Sequence, residues 1–223
     1  AERLKQLVVE QTAIARQYRD AGNQYWGRII GTQADHETAS WMANRLRQAG
    51  AAVRVETLNL APQWVPHSWE LSVEGGGNAS ALASASPTYA SVGTAPAGID
   101  VEVIDVGLGM ETDFSGRVVS GKAVVIHAIP RPGIISLIRS STLRRAIAQA
   151  DERGAAAILI VIELPGNLQS LLYSVNSSVP TFSLGAEDGA TIQRSLAEAD
   201  PDKAPRLALR LVVREREGLT TTV

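Results

Sequence analysis

The sequence has no cysteine among its 223 residues, which excludes disulfides, thiolate nucleophiles and cysteine-ligated zinc. It also has no apolar run near the roughly 18 residues that a membrane-spanning helix requires. The longest such run, 155–162, fits a buried strand. Neither sign of charge is in marked excess, with 21 basic against 23 acidic residues, so no positive field is there to attract nucleic acid or an anionic membrane.

The side chains and motifs of common enzyme chemistry are also scarce. The three histidines are His36, His67 and His127. His36 and the glutamate after it open like the zinc motif H-E-x-x-H, but serine at position 40 leaves the motif incomplete. The sequence has neither the G-x-S-x-G of serine hydrolases nor a P-loop, and the glycines at 107 and 109 lack the third glycine of a dinucleotide-binding turn. These residues alone predict no catalytic residue, no metal ligand and no cofactor.

His127 is the histidine with the best case for a function, because it ends the predicted buried strand 123–126. One hypothesis is a small enzyme in which His127 acts with a nearby carboxylate, Asp105 or Asp113. That hypothesis requires the groups to meet within hydrogen-bond reach in a pocket. The interpretation that we favour is an ordinary strand-end histidine.

Hydrophobic periodicity switches repeatedly between helical and strand spacing, which predicts an α/β or α+β fold. The predicted helices are 4–19, 35–48, 142–152 and 186–197, and the predicted strands are 53–60, 64–73, 101–106, 123–126, 155–162, 179–184 and 206–213. We divide the chain into a helix–helix–strand segment at 1–60, a connector at 61–98, a sheet domain at 99–215, and 216–223 as the start of a strand. We expect that last strand to be truncated.

Three segments of the sheet domain resemble, in order, the protease-associated (PA) domain family. The stretch 113–126, which contains Gly121-Lys122, is similar to that family's V-x-G-K-I-V-L strand. The segment 146–159, with Gly154-Ala155, is similar to its A-x-x-x-G-A-x-G-x-I-I element, and Val179-Pro180 is similar to its I-P strand. The resemblance spans about 99–213 and implies a PA-type β-sheet or open barrel with flanking helices.

The N-terminal segment resembles a second family. Gly31-Thr32, the helix 39–46 and the strand 51–60 look like the opening of M28-family zinc exopeptidases, some of which carry an inserted PA domain. The stretch 94–106 resembles the start of that insertion in the plasma glutamate carboxypeptidase (carboxypeptidase Q-like) branch. The resemblance implies that the full-length protein is an aminopeptidase or carboxypeptidase with two zinc ions. The family's zinc ligands have no counterpart in this sequence, so we interpret the chain as a non-catalytic fragment.

In such enzymes the inserted domain borders the active-site cleft, so the resemblance implies an influence on substrate access. We expect the contacts to come from the two long loops 129–141 and 164–178, because binding surfaces are usually carried by loops. Arg131 and Arg139 would bind a peptide carboxylate through paired N–H donors. Tyr173 and Asn176 would line a pocket. The four candidates are Arg131, Arg139, Tyr173 and Asn176.

The expected partners are the catalytic domain of the same full-length chain and peptide substrates, without nucleic acid and without a membrane span. If that catalytic domain is absent, the segment 1–60 exposes apolar surface, and we therefore expect self-association through it. The family resemblance further implies export, to the periplasm or outside the cell, after removal of a signal peptide. The alternative function is a standalone PA-like module that binds a peptide or a protein.

Overall fold

The computed structural model describes residues 2–27, 29–75, 77–130, 140–172, 176–199 and 204–222, except for the side chains of 214–219, 221 and 222. Its helices are α1 (Glu2–Asp20), α2 (Gln33–Gln48), α3 (Ser141–Glu152) and α4 (Ala186–Ala197). Its strands are β1 (Glu56–Gly75), β2 (Asn78–Ala81), β3 (Ser86–Pro87), β4 (Ile99–Asp105), β5 (Ala123–Ala128), β6 (Ala157–Ile162), β7 (Thr181–Leu184) and β8 (Arg206–Thr222). This mixture confirms the predicted α/β (α+β) class. None of the described helices combines the length and the apolar character needed to cross a membrane.

The chain divides into two compact units. Unit 1 consists of Ala1–His67 and Arg214–Val223, and unit 2 consists of Ser68–Val213. The boundary falls within β1 and β8. The boundaries predicted from the sequence, at 60, 98 and 215, remain a prediction about domain organisation.

Two strands are longer than the sequence pattern indicated. β1 runs without interruption across Pro62 and Pro66, where the pattern suggested two separate strands. Proline fixes φ near −65° and removes one donor, which an extended segment tolerates where that donor is not needed for pairing. β8 likewise continues to Thr222 instead of ending at 213.

The strands form one sheet in the order β2-β1-β8-β4-β5-β6-β7-β3. Strands β4, β5, β6 and β7 are parallel, whereas β8 is antiparallel to β4 and β3 is antiparallel to β7. Every residue of β6 and of β7 is buried, and so are five of the six residues of β5. Continuous burial is typical of parallel strands that are covered on both faces.

Helices α3 and α4 cover opposite faces of these central strands. The alternate residues Val124, Ile126, Ile158 and Ile160 pack in one cluster with α3. On the other face, α4 approaches β6 so closely that a Cβ atom at Gly189 would lie 2.4 Å from Cγ1 of Val161. Because both faces are covered, polar side chains of the central strands can reach solvent only at the strand ends.

Unit 1 is built on the packing of α1 against α2. The carboxylate of Glu10 in α1 accepts a hydrogen bond from Arg45 in α2. At the start of α2, the Asp35 carboxylate accepts hydrogen bonds from the Gly31 amide and from the Thr220 hydroxyl, both at 2.8 Å. Asp35 thus holds together the loop before α2 and the end of β8.

The start of α4 is fixed by a buried polar network in unit 2. The N-cap residue Gly185 has no side chain to cap the helix, and its amide donates instead to Oγ of Ser84 at 2.8 Å. Ser84 also donates from its hydroxyl and its amide to Oδ2 of Asp188, at 2.6 and 2.7 Å. Asn167 donates to the other oxygen of that carboxylate at 3.0 Å. One serine therefore satisfies an amide and a carboxylate at this helix end.

We predict that Ser84→Ala lowers the free energy of unfolding by about 2 kcal/mol, because it leaves a buried amide and part of a buried carboxylate without a partner. Urea denaturation followed by circular dichroism measures the change. Ser115→Ala removes an exposed hydroxyl from the same unit and should change stability by less than about 0.5 kcal/mol. Equal losses in the two variants would contradict this account of the network.

Candidate functional site

The parallel strands β4, β5 and β6 end at the same edge of the sheet, and each places an ionisable side chain there. Asp105 is the last residue of β4, His127 lies one residue before the end of β5, and Glu163 directly follows β6. Two backbone hydrogen bonds fix how the neighbouring strand ends lie side by side. The His127 amide donates to the Gly107 carbonyl at 2.7 Å, and the Glu163 amide donates to the Ala128 carbonyl at 2.9 Å. In open α/β sheets, ligands bind outside this carboxyl edge.

The imidazole of His127 is held between two carboxylates. Its Nε2 lies 2.9 Å from Oδ2 of Asp105, and its Nδ1 lies 2.5 Å from Oε1 of Glu163. Side chains alternate along β5, so His127 points away from α3 and towards α4, where the Gln193 amide lies 3.4 Å from Nε2. Only 11% of the His127 side chain is exposed. The three strand ends are therefore joined through one nearly buried ring.

This surrounding keeps the ring protonated. The hydrogen bond to Asp105 raises the pKa of His127, burial opposes the rise, and the hydrogen bond to Glu163 adds to it, with the result that the pKa reaches about 9. Burial would raise the pKa of Asp105, but the hydrogen bonds from His127 and from the Gly107 amide outweigh it and leave that pKa below its ordinary value. At neutral pH the cluster is an imidazolium whose two N–H groups each donate to a carboxylate.

An imidazolium held in this way is poorly suited to catalysis or to metal binding. A general base and a metal ligand both need a ring nitrogen with a free lone pair, and here each ring nitrogen already lies within hydrogen-bond distance of a carboxylate oxygen. The cluster therefore does not fit zinc. Among the residues that the structure describes, no group of three histidine, cysteine, aspartate or glutamate side chains is arranged to hold a metal ion.

The structure brings together part of what the sequence suggested. His127 and Asp105 meet, as the small-enzyme hypothesis required, but Asp113 does not join them: its Oδ2 accepts from the Met110 amide at 2.8 Å and caps a short 3-10 helix. Sequence reasoning missed Glu163. The available signal was an acidic residue placed directly after a fully apolar strand, at the edge where parallel strands end together.

Of the four predicted substrate-access residues, Arg131, Arg139 and Tyr173 lie outside the described residues. Asn176 is described and is exposed in the loop between β6 and β7. The role assigned to these four residues remains a prediction.

We predict that His127→Gln lowers the free energy of unfolding by about 2 kcal/mol at pH 6, because it removes the cation between two carboxylates. The pKa of His127 is about 9 in the folded chain and 6.5 ordinarily, so the stabilisation is complete below pH 6.5 and is lost as the pH rises through 9. The stability difference between the wild type and the variant should therefore shrink towards zero between these values. Because Glu163 is partly exposed, solvent screening makes this stability difference smaller than the full pKa shift would give.

Urea denaturation at pH 6, 7.5 and 9 measures this difference. His67→Gln, at an exposed histidine of β1, is the matched control and should give no comparable pH dependence. A difference for His127→Gln that stays constant from pH 6 to pH 9 would show that the ring is not charged in the folded chain.

Neither a protein-family model nor a curated protein matches the sequence, but solved structures match it in fold. The zinc aminopeptidase BSAP from Bacillus subtilis is 17% identical, with a TM-score of 0.61 over 95% of this chain and 44% of its own. The peptidase M28 precursor from Shewanella amazonensis SB2B is 18% identical, with a TM-score of 0.61 over 100% of this chain and 53% of its own. The aminopeptidase from Aneurinibacillus sp. strain AM-1 is 16% identical, with a TM-score of 0.54 over 95% and 46%.

The chain thus spans about half the length of the solved structures it matches. At these identities the likeness concerns the fold. Zinc aminopeptidases and an M28 peptidase are among the solved structures that this chain matches in fold.

Proposed function

We propose that this chain is a non-catalytic part of an M28-type zinc exopeptidase, in which unit 2 borders the active-site cleft and influences which peptides enter it. The observation that carries the proposal is the fold likeness to peptidases, which extends over 95–100% of this chain but only 44–53% of theirs. In this proposal the reacting groups belong to the part of the enzyme that the chain does not include.

Unit 2 is the proposed PA domain. The crossover β5–α3–β6, followed by β7 and α4, has the order of elements that the PA resemblance implies. Among its described residues, the His127 cluster is the group most similar to a catalytic site, and both ring nitrogens there already lie within hydrogen-bond distance of carboxylates. We therefore assign the two zinc ions of the proposed enzyme to its catalytic domain.

Unit 1 supports an interaction with that catalytic domain. Leu4 and Val8 lie one helical turn apart on α1 and are both largely exposed, and Met42 and Leu46 repeat this spacing on α2. Exposed apolar side chains in such number mark a surface that a partner covers. We propose the catalytic domain of the same enzyme as that partner. Export is part of the same proposal, and one of the similar structures is described as a precursor.

The first prediction concerns peptidase activity. This chain with added zinc should not hydrolyse leucine p-nitroanilide, whereas the longer product of the same gene should do so and should lose the activity to a chelator. Zinc-dependent hydrolysis by this chain alone, or an inactive longer product, would contradict the proposal.

The second prediction separates substrate access from chemistry. In the longer enzyme, Arg131→Ala and Arg139→Ala should each raise KM for peptides about fivefold while kcat/KM for leucine p-nitroanilide is unchanged, because the loss of one charge-assisted hydrogen bond weakens peptide binding only. Arg210→Ala, at an exposed arginine of β8, is the control. An unchanged KM for peptides would remove the two arginines from substrate binding.

The third prediction concerns the apolar surface of unit 1. Without its catalytic partner this chain should self-associate, so its light-scattering mass should rise with concentration, and the double variant Leu4→Ser, Val8→Ser should reduce that rise. Val118→Ser is a matched control, because Leu4 and Val118 are both 69% exposed and Val118 belongs to unit 2. A wild-type chain that stays monomeric at high concentration would contradict the prediction.

A further inference from the structure

Unit 1 buries only small apolar residues. Among the residues of this unit whose side chains the structure describes, no valine, leucine, isoleucine, methionine or aromatic side chain is buried. The buried apolar residues are four alanines and one proline: Ala15, Ala34, Ala39, Ala43 and Pro66. Unit 2 instead buries many large aliphatic side chains together with Phe182. Because hydrophobic stabilisation is proportional to the apolar area removed from water, unit 1 gains little of it.

Large apolar side chains of unit 1 lie on its surface. Leu4 and Val8 of α1 are 69% and 61% exposed, and Met42 and Leu46 of α2 are also exposed. A single exposed apolar side chain is ordinary in a folded protein. A unit that exposes large apolar residues and buries only small ones, however, lacks the main driving force for folding.

The polar contacts of unit 1 do not replace a core. The ion pair between Glu10 and Arg45 joins α1 to α2, but 28% and 43% of these side chains are exposed, and exposed ion pairs contribute little to stability. The hydrogen bond from Thr220 to Asp35 exchanges a bond to water for one within the protein, so its net contribution is modest. Most of the stability of a helix in a protein comes from packing of its apolar face. That packing is weak for α1 and α2.

We propose that unit 1 is only marginally folded in this chain and becomes stably folded when the rest of the longer enzyme covers its exposed apolar side chains. This inference rests on the proposed function, which supplies the covering surface. The fold likeness to BSAP includes 95% of this chain, and 44% of BSAP is matched, so the similar protein has a further half that could provide such a surface. A partner that binds only the folded form stabilises that form. Unit 2 has its own core and stays folded with or without the partner.

Amide hydrogen exchange, read by mass spectrometry, tests the proposal on the 223-residue chain and on the longer product of the same gene. The chain is measured at a concentration at which light scattering shows a monomer. There the amides of α1 and α2 should exchange at least about 100-fold faster than those of the buried strands β5 and β6. In the longer product, exchange in α1 and α2 should slow by at least about 100-fold, because opening these helices then also breaks the contact with the partner.

A double variant separates the contact with the partner from the stability of the helix itself. Leu4→Ala, Val8→Ala keeps a strong helix former at both positions. In the longer product it should speed exchange in α1 about tenfold, because two covered apolar side chains are lost. In the 223-residue chain it should leave exchange nearly unchanged, since both side chains are already largely exposed. Val118→Ala, at a residue of unit 2 that is as exposed as Leu4, is the matched control and should change neither protein.

Three outcomes would overturn the proposal. In the first, α1 and α2 of the monomeric chain are protected as strongly as β5 and β6. In the second, the longer product hydrolyses leucine p-nitroanilide but leaves exchange in α1 and α2 fast, which contradicts this inference and not the proposed function. In the third, protection appears as the concentration of this chain rises and is no greater in the longer product, which assigns the covering surface to a second copy.

Failure of the proposed function gives a different result. A longer product that protects α1 and α2 but hydrolyses no peptide would contradict the peptidase assignment, while the coupling of folding to assembly would stand.

Discussion

Strands β5 and β6 are covered on both faces, by α3 on one side and by α4 on the other, and this burial determines where the rest of unit 2 can be polar. A buried parallel strand leaves its side chains no route to water except at its ends. Three neighbouring strands end together, so Asp105, His127 and Glu163 are brought to one line without being close in sequence. The ionised cluster follows from this constraint.

The His127 cluster illustrates why proximity of catalytic residue types does not by itself make a catalytic site. A histidine with one carboxylate partner keeps its second nitrogen free for proton transfer, whereas His127 has a carboxylate at each nitrogen. The second carboxylate adds to the rise in the pKa of the ring and occupies its second nitrogen. The sequence suggested a histidine with one aspartate, whereas the structure adds a third residue, Glu163, at the nitrogen that such chemistry would leave free.

Local sequence patterns predicted the helices and the central strands well. The predicted helix at 186–197 coincides with α4, and the predicted strand at 123–126 lies within β5, because periodicity and glycine or proline punctuation are local signals. The continuation of β1 across Pro62 and Pro66 was missed. A proline in a sequence indicates the end of a strand unless the pairing partners of that strand are known. Glu163 was missed for a related reason: its partner lies 36 residues away, and only the register of β5 against β6 brings the two together.

The serine that completes the start of α4 has a consequence for how unit 2 folds. Ser84 and Asp188 are separated by 104 positions, yet the first turn of the helix depends on their contact. Closing so long a loop costs chain entropy, and no local interaction offsets that cost before the contact forms. We therefore expect the start of helix α4 to be completed late in folding, after the segment that leads into β3 has reached the edge of the sheet beside β7. A high content of such distant contacts slows folding.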